Sequence, residues 1–132
     1  MSWTQGQALP ADTRPAITRQ QLKDYAEASG DPNPIHLDEV FAKEAGFKGV
    51  IAHGMLSMAI LGDYVTQLFP AETHKLTVMK ARFRKVTYPG DVLTCEGEVR
   101  KVSPDGELRL ALRTRNQLLE ITTESEAVFR PV

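Results

Sequence analysis

The sequence predicts an α+β domain, a curved antiparallel sheet wrapped around one central buried helix. Three observations carry this. From Lys75 onward, apolar residues recur with a period of two, as in strands half buried against a core. Before that, Met55 to Leu68 is apolar around most of a helical circumference, which a helix needs when it is covered on nearly every side. Two turn signals, Tyr88-Pro-Gly-Asp91 and Ser103-Pro-Asp-Gly106, separate the strand runs. A sheet with one apolar face and a helix that needs cover satisfy each other. The 132 residues read as a single domain, 1–132.

Residues 1–16 hold Pro10 and Pro15 among polar residues and read as an extended lead-in with one short strand. Thr18 is placed to N-cap a helix, with Gln21 as its capping-box partner and Ile17 and Leu22 as a hydrophobic staple. The spacing predicts helix to about Ser29, with Leu22, Tyr25, Ala26 and Ser29 on the apolar face and Gly30 as the stop. Gly30 to His36 reads as a stiff loop, neither helix nor strand. Pro32 and Pro34 fix φ near about −65° and bias Asp31 and Asn33 away from the α region. Asp38 caps a short helix to Ala45 that turns Phe41, Ala42 and Ala45 inward, and Gly46 ends it. Residues 47–52 connect to the central helix, Met55–Leu68, which Pro70 closes. Four strands follow, Thr77–Val86, Val92–Val102, Glu107–Arg115 and Leu118–Phe129, the last two joined by a two-residue turn at Asn116-Gln117. In the third, Leu108, Leu110 and Leu112 alternate with Arg109, Ala111 and Arg113; in the fourth, Ile121, Thr123, Ser125, Ala127 and Phe129 share a face. One helix does not mask every edge of such a sheet. An open edge strand is expected to pair with a second chain, as a homodimer or as a heterodimer with a related subunit.

Composition excludes several function classes. Net charge is −1, with no basic tract of the kind that binds nucleic acid or a membrane surface. The apolar run of the central helix is broken by Ser57, Gly62, Asp63, Thr66 and Gln67, so no spanning segment is expected. The N-terminus lacks a basic stretch followed by an apolar one, so no secretory signal is expected. A single cysteine, Cys95, permits no internal disulfide framework and fits a reducing cytoplasm, the expected location.

The stiff loop carries the chemistry. It holds a carboxylate, Asp31, and an imidazole, His36, on rigid backbone, which is what acid–base catalysis requires. The stretch Tyr25-Ala-Glu-Ala-Ser-Gly-Asp-Pro-Asn-Pro-Ile-His36, followed by Ala52-His-Gly-Met-Leu56 and Tyr88-Pro-Gly-Asp91, resembles the MaoC-like, (R)-specific enoyl-thioester hydratases and dehydratases. The resemblance spans roughly residues 18–91. It implies a hot-dog fold and reversible hydration of trans-2-enoyl thioesters to (R)-3-hydroxyacyl thioesters, with Asp31 and His36 as the catalytic pair and an acyl-CoA or acyl-carrier-protein thioester as substrate. The chain is similar both to dehydratase subunits that work with a non-catalytic partner and to homodimeric hydratases. The homodimeric hydratases carry a serine along the central helix; here Ala59 holds that place, and Ser57 lies two positions earlier.

Hydration needs a base for water, an acid for C2, and donors for the thioester oxygen. Asp31 and His36 holding one water serve the first two, in either division of labour. Unpaired amides at the start of the central helix serve the third, with Gly54 able to approach a thioester oxygen closely. Asn33 reads either as a pin for the loop or as a plain turn former. His53 reads as a structural hydrogen-bonder or as a substrate-binding group beside Gly54. Asp31, His36 and His53 match no familiar metal-ligand spacing, and the reaction calls for no metal or other cofactor. His74 reads as a solvent loop residue and Cys95 as inert core, while Asp63 on the buried helix reads as a polar edge at an interface. Lys80, Arg82, Arg84, Lys85, Arg100 and Lys101 read as a basic cluster, either solvated or set to bind a ligand phosphate. Two other functions remain open. A hot-dog thioesterase places a carboxylate on the central helix, where Asp63 is the sole candidate; a non-catalytic thioester-binding subunit would not require the Asp31/His36 pair.

Overall fold

The computed structural model describes residues 2–132. Its elements follow the predicted order. Strand β1 (Asp12–Thr13) is followed by α1 (Arg19–Ser29), α2 (Glu39–Glu44) and α3 (Gly54–Leu68), then by β2 (His74–Phe83), β3 (Thr94–Val102), β4 (Leu108–Arg115) and β5 (Ile121–Pro131). The five strands form one antiparallel sheet in the order β1-β3-β4-β5-β2. Helix α3 packs against β2, β3, β4 and β5, so the sheet curves around it. This is the hot-dog arrangement expected from the sequence. Leu61 and Val65 of α3 meet Phe69, Leu93, Val99, Leu110 and Phe129 in the core. α1 adds Leu22 and α2 adds Ala42 from the flank.

Local signals account for most boundaries. Thr18 caps α1, its hydroxyl accepting from the Gln21 amide at 3.0 Å, and Gly30 closes it at φ 72°. Asp38 caps α2 by accepting from the Phe41 amide at 3.1 Å. The Ser103–Gly106 turn closes β3 onto β4, with Gly106 at φ 89°.

Several expectations are corrected. Pro34 to His36 is a single turn of 3₁₀ helix, not loop. Proline is well suited to the first position of such a turn, and the Asn33 side chain caps it by accepting from the Ile35 amide at 3.1 Å. In α1, Ser29 is exposed and Tyr25 only half-buried, so the inward face is Leu22 and Ala26. In α2, only Ala42 points inward; Phe41 and Ala45 are exposed, because a six-residue helix turns too little surface to the core. Helix α3 begins at Gly54, with His53 as N-cap, and one side of it is open: Met55, Ala59 and Asp63 are exposed. His74 opens β2 and packs edge-on against Phe69 at 5.3 Å, since the chain enters the sheet directly after the 70–73 turn. The turn before β5 is longer than two residues. Asn116 Oδ1 accepts from the Leu118 and Glu120 amides and Leu119 lies at φ 63°, so β5 starts only at Ile121.

Candidate active site

The loop between α1 and α2 is fixed from both ends. Gly30 in the left-handed region reverses the chain, and the Asp31 amide donates back to the Ala26 carbonyl at 3.1 Å. The Asp31 carboxylate accepts from the Asn33 amide at 3.3 Å, and Asn33 in turn caps the 3₁₀ turn. The Ile51 amide donates to the Ile35 carbonyl at 3.1 Å, tying the turn to the segment that leads into α3. Asn33 is therefore a pin for the loop; it is exposed and does not line the cavity described below.

This framework brings Asp31, His36 and His53 together, with one donor atom of each lying within 4.8 Å of the others. His36 is 8% exposed, and its Nδ1 lies 2.6 Å from the Ile51 carbonyl. A carbonyl only accepts, so Nδ1 carries the proton and Nε2 keeps a free lone pair. Burial is the largest effect on His36 and pushes its pKa below the usual 6.5, with His53 adding to the push; the Ile51 carbonyl and Asp31 act against it. His36 thus rests as a neutral imidazole able to take or relay a proton. Asp31 is solvent-exposed and does not itself line the cavity described next, but a donor atom of its side chain lies within reach of His36.

Beside His36 lies a cavity of about 290 Å³, lined by Ile51, Ala52, Gly54, Ser57 and Phe83 among others. The start of α3 opens onto it through Gly54, whose amide has no intrahelical partner. A Cβ on Gly54 would sit 3.0 Å from the Phe83 ring, so both expected roles of this glycine, close packing and an unscreened amide, fit the same position. His36 and Gly54 line this cavity from the same chain, so the two halves of the site need no partner to meet.

Other expectations are redrawn. His53 does not line the cavity; it is 2% exposed, behind His36, with its Nε2 3.1 Å from the Asp31 carbonyl oxygen. Ser57, rather than position 59, is buried against the cavity, while Ala59 is exposed. The helical phase settles this: Ser57 lies one turn from Gly54 on the same face, and Ala59 does not. Phe83, Thr87 and Thr123 also line the cavity, and sequence reasoning missed them because Phe83 and Thr123 meet only once β2 and β5 pair, while the Thr87 carbonyl is brought in by accepting from the Ala52 amide at 2.7 Å. The basic residues form no single cluster. Arg84 and Lys85 line the cavity and pair with Glu124 and Glu120, whereas Arg100 and Lys101 belong to β3, which β4 and β5 separate from β2. Asp63 faces away from the cavity and accepts from Arg14 at 2.6 Å and Gln67 at 3.0 Å; the Arg14 guanidinium holds its carboxyl below the usual carboxylate range. Cys95 is buried, and burial pushes its thiol up to about 11.

The three clustered donors are also the residues that could hold a metal. Each histidine has one nitrogen committed to a backbone carbonyl, and the two rings stack at 3.7 Å, 21° from parallel. A metal lies in the plane of each imidazole that binds it, and planes so nearly parallel share no point at bonding distance. The arrangement suits proton transfer to and from a water held between Asp31 and His36, beside a donor-bearing helix terminus.

The family described as MaoC like domain matches residues 3–118. A probable enoyl-CoA hydratase 2 of Dictyostelium discoideum is 35% identical over 94% of this chain, which spans 44% of that protein's length. The (R)-specific enoyl-CoA hydratase of Aeromonas caviae is 31% identical over 76% of this chain and 78% of its own. The solved R-hydratase PhaJ1 of Pseudomonas aeruginosa superposes with a TM-score of 0.87 at 33% identity, covering 97% of this chain and 81% of that one. The chain spans less than half of the Dictyostelium protein's length, and its match to a Neurospora crassa peroxisomal relative covers a tenth of that protein. The fold, the loop motif and the family match agree: the chain belongs to the MaoC-like domain family.

Proposed function

We propose that this chain catalyses the reversible hydration of trans-2-enoyl thioesters to (R)-3-hydroxyacyl thioesters. Asp31 and His36 hold the attacking water and move its protons, and the α3 terminus at Gly54 donates to the thioester oxygen as charge builds there. One observation carries the reading: a neutral His36 with a free Nε2 lines the same cavity as the unpaired Gly54 amide, next to an exposed Asp31. The hydratase and dehydratase names of the relatives support it. Loss of one donor at an oxyanion site typically lowers rate by about 10²–10³.

A thioesterase reading finds less support, because Asp63, the carboxylate of α3, is tied to Arg14 away from the cavity. The two separate with crotonyl-CoA. Loss of the enoyl-thioester absorbance without free thiol is the expected result; thiol release would show hydrolysis instead.

The substrate is an acyl thioester on CoA or a carrier protein, and the working unit is a homodimer formed through β2. Among the described residues that strand pairs only with β5 and leaves its other edge open, with Val78 and Phe83 exposed along it. A related subunit could take the same edge; two neighbours of this fold are described as complexes, ChsH1-ChsH2 and HadBC of Mycobacterium tuberculosis. A cytoplasmic location accords with the single buried thiol of Cys95.

A further inference from the structure

We infer that His53 is a positioning residue that holds the two members of the acid–base pair in register, bonding to the Asp31 backbone with one ring edge and supporting the His36 ring with its face. The inference rests on the hydration reading above and assigns its geometry to a residue that touches no substrate. His53 is 2% exposed and absent from the cavity wall. It occupies the N-cap of α3, yet its side chain makes no capping bond, and the preferred caps are Ser, Thr, Asp and Asn. Its ring is therefore used for something other than the helix.

Two contacts say what that is. Nε2 lies 3.1 Å from the Asp31 carbonyl oxygen, so it carries the proton and donates. The bond spans 22 residues and fixes the backbone that carries the Asp31 carboxylate. The ring stacks on His36 at 3.7 Å and is backed edge-on by Tyr25 of α1 at 4.9 Å. The series Tyr25–His53–His36 thus joins α1, the start of α3 and the loop. With Nε2 protonated, Nδ1 holds a lone pair, and that atom is buried without a partner among the described residues. A ring needed only to fill space would leave no such polar atom unpaired, since an all-carbon ring offers a stacking face without one. The retained imidazole points to the donor on its far side.

Two substitutions divide the contributions. His53→Phe keeps the stack and loses the donor. His53→Gln places an amide near the former Nε2 and loses the ring. Both are assayed on the intact chain with crotonyl-CoA, alongside thermal unfolding. The Phe variant is expected to lose on the order of 10² in kcat with little change in KM, as misplacement of a catalytic group does. The Gln variant recovers part of that loss. Wild-type kcat in the Phe variant, or a Gln variant no faster than it at equal thermal stability, overturns the inference while leaving the hydration reading intact. Wild-type protein inert on crotonyl-CoA strikes the reaction and this inference with it. Should the Phe variant fail to fold, imidazole ¹⁵N shifts of the wild type decide: a proton on Nε2 of His53 supports the inference, and an Nδ1–H tautomer with Nε2 bare overturns it.

Discussion

His36 shows how one buried side chain links stability to pH. It is 8% exposed, and its pKa lies below the usual 6.5. Between those two values the unfolded chain holds a proton there that the folded chain has shed. Stability therefore falls as pH drops from about 6.5 toward the folded pKa, and levels off below it. His36→Gln removes this contribution, so denaturant midpoints at pH 5 and pH 7 should differ less in the variant than in the wild type. An unchanged difference would assign the slope to other groups. At this scale the sequence was legible where chemistry follows from residue type on a stiff backbone. Asp31 and His36 were found that way, and the structure brings them together. Ser57, Phe83 and Thr123 were not, because their approach to the cavity depends on helical phase and strand pairing. His53 was legible as a site neighbour, but its place behind His36 was not, since that depends on which way a buried ring turns.

At the scale of elements, caps and turns carried the prediction. Thr18, Gly30, Asp38 and Gly106 each stand where a local hydrogen bond or a left-handed φ demands them. Burial was harder to read. Met55 and Ala59 looked like core in a helix apolar nearly all round, yet the sheet covers only part of that circumference. Gly97 of β3 carried no sequence signal beyond membership of a strand. A Cβ there would lie 2.3 Å from the Ala111 carbonyl oxygen of β4. The obstacle is backbone, which yields less readily than a side-chain tip. Gly97→Ala should therefore cost toward the upper end of the about 1–3 kcal/mol typical of overpacking. Chemical denaturation measures it, and a loss too small to detect would mean that the two strands separate there with ease.

For the whole molecule, the edge strand is the unfinished feature. β1 is only two residues long and offers little edge, whereas β2 runs for ten with one side unpaired among the described residues. Its exposed Val78 and Phe83, with Met55 exposed on α3, supply apolar surface that a second copy would cover. Strand count and helix count alone predict an edge left for a partner; which edge is free required the strand order, in which β2 lies outside β5 although it precedes it in the chain. Val78→Asp should shift native mass from dimer toward monomer, and a monomeric wild type would remove this part of the account.

The central claim is that Asp31 and His36 act as a pair on one water. Asp31→Asn tests it most directly. The side chain is exposed, and an asparagine oxygen can keep the bond from the Asn33 amide, so the fold should survive. Positioned acid–base groups contribute about 10²–10⁴ in rate. With crotonyl-CoA as substrate, the account predicts a folded variant whose kcat/KM falls by a factor in that range; a folded variant that keeps most of its activity would contradict it.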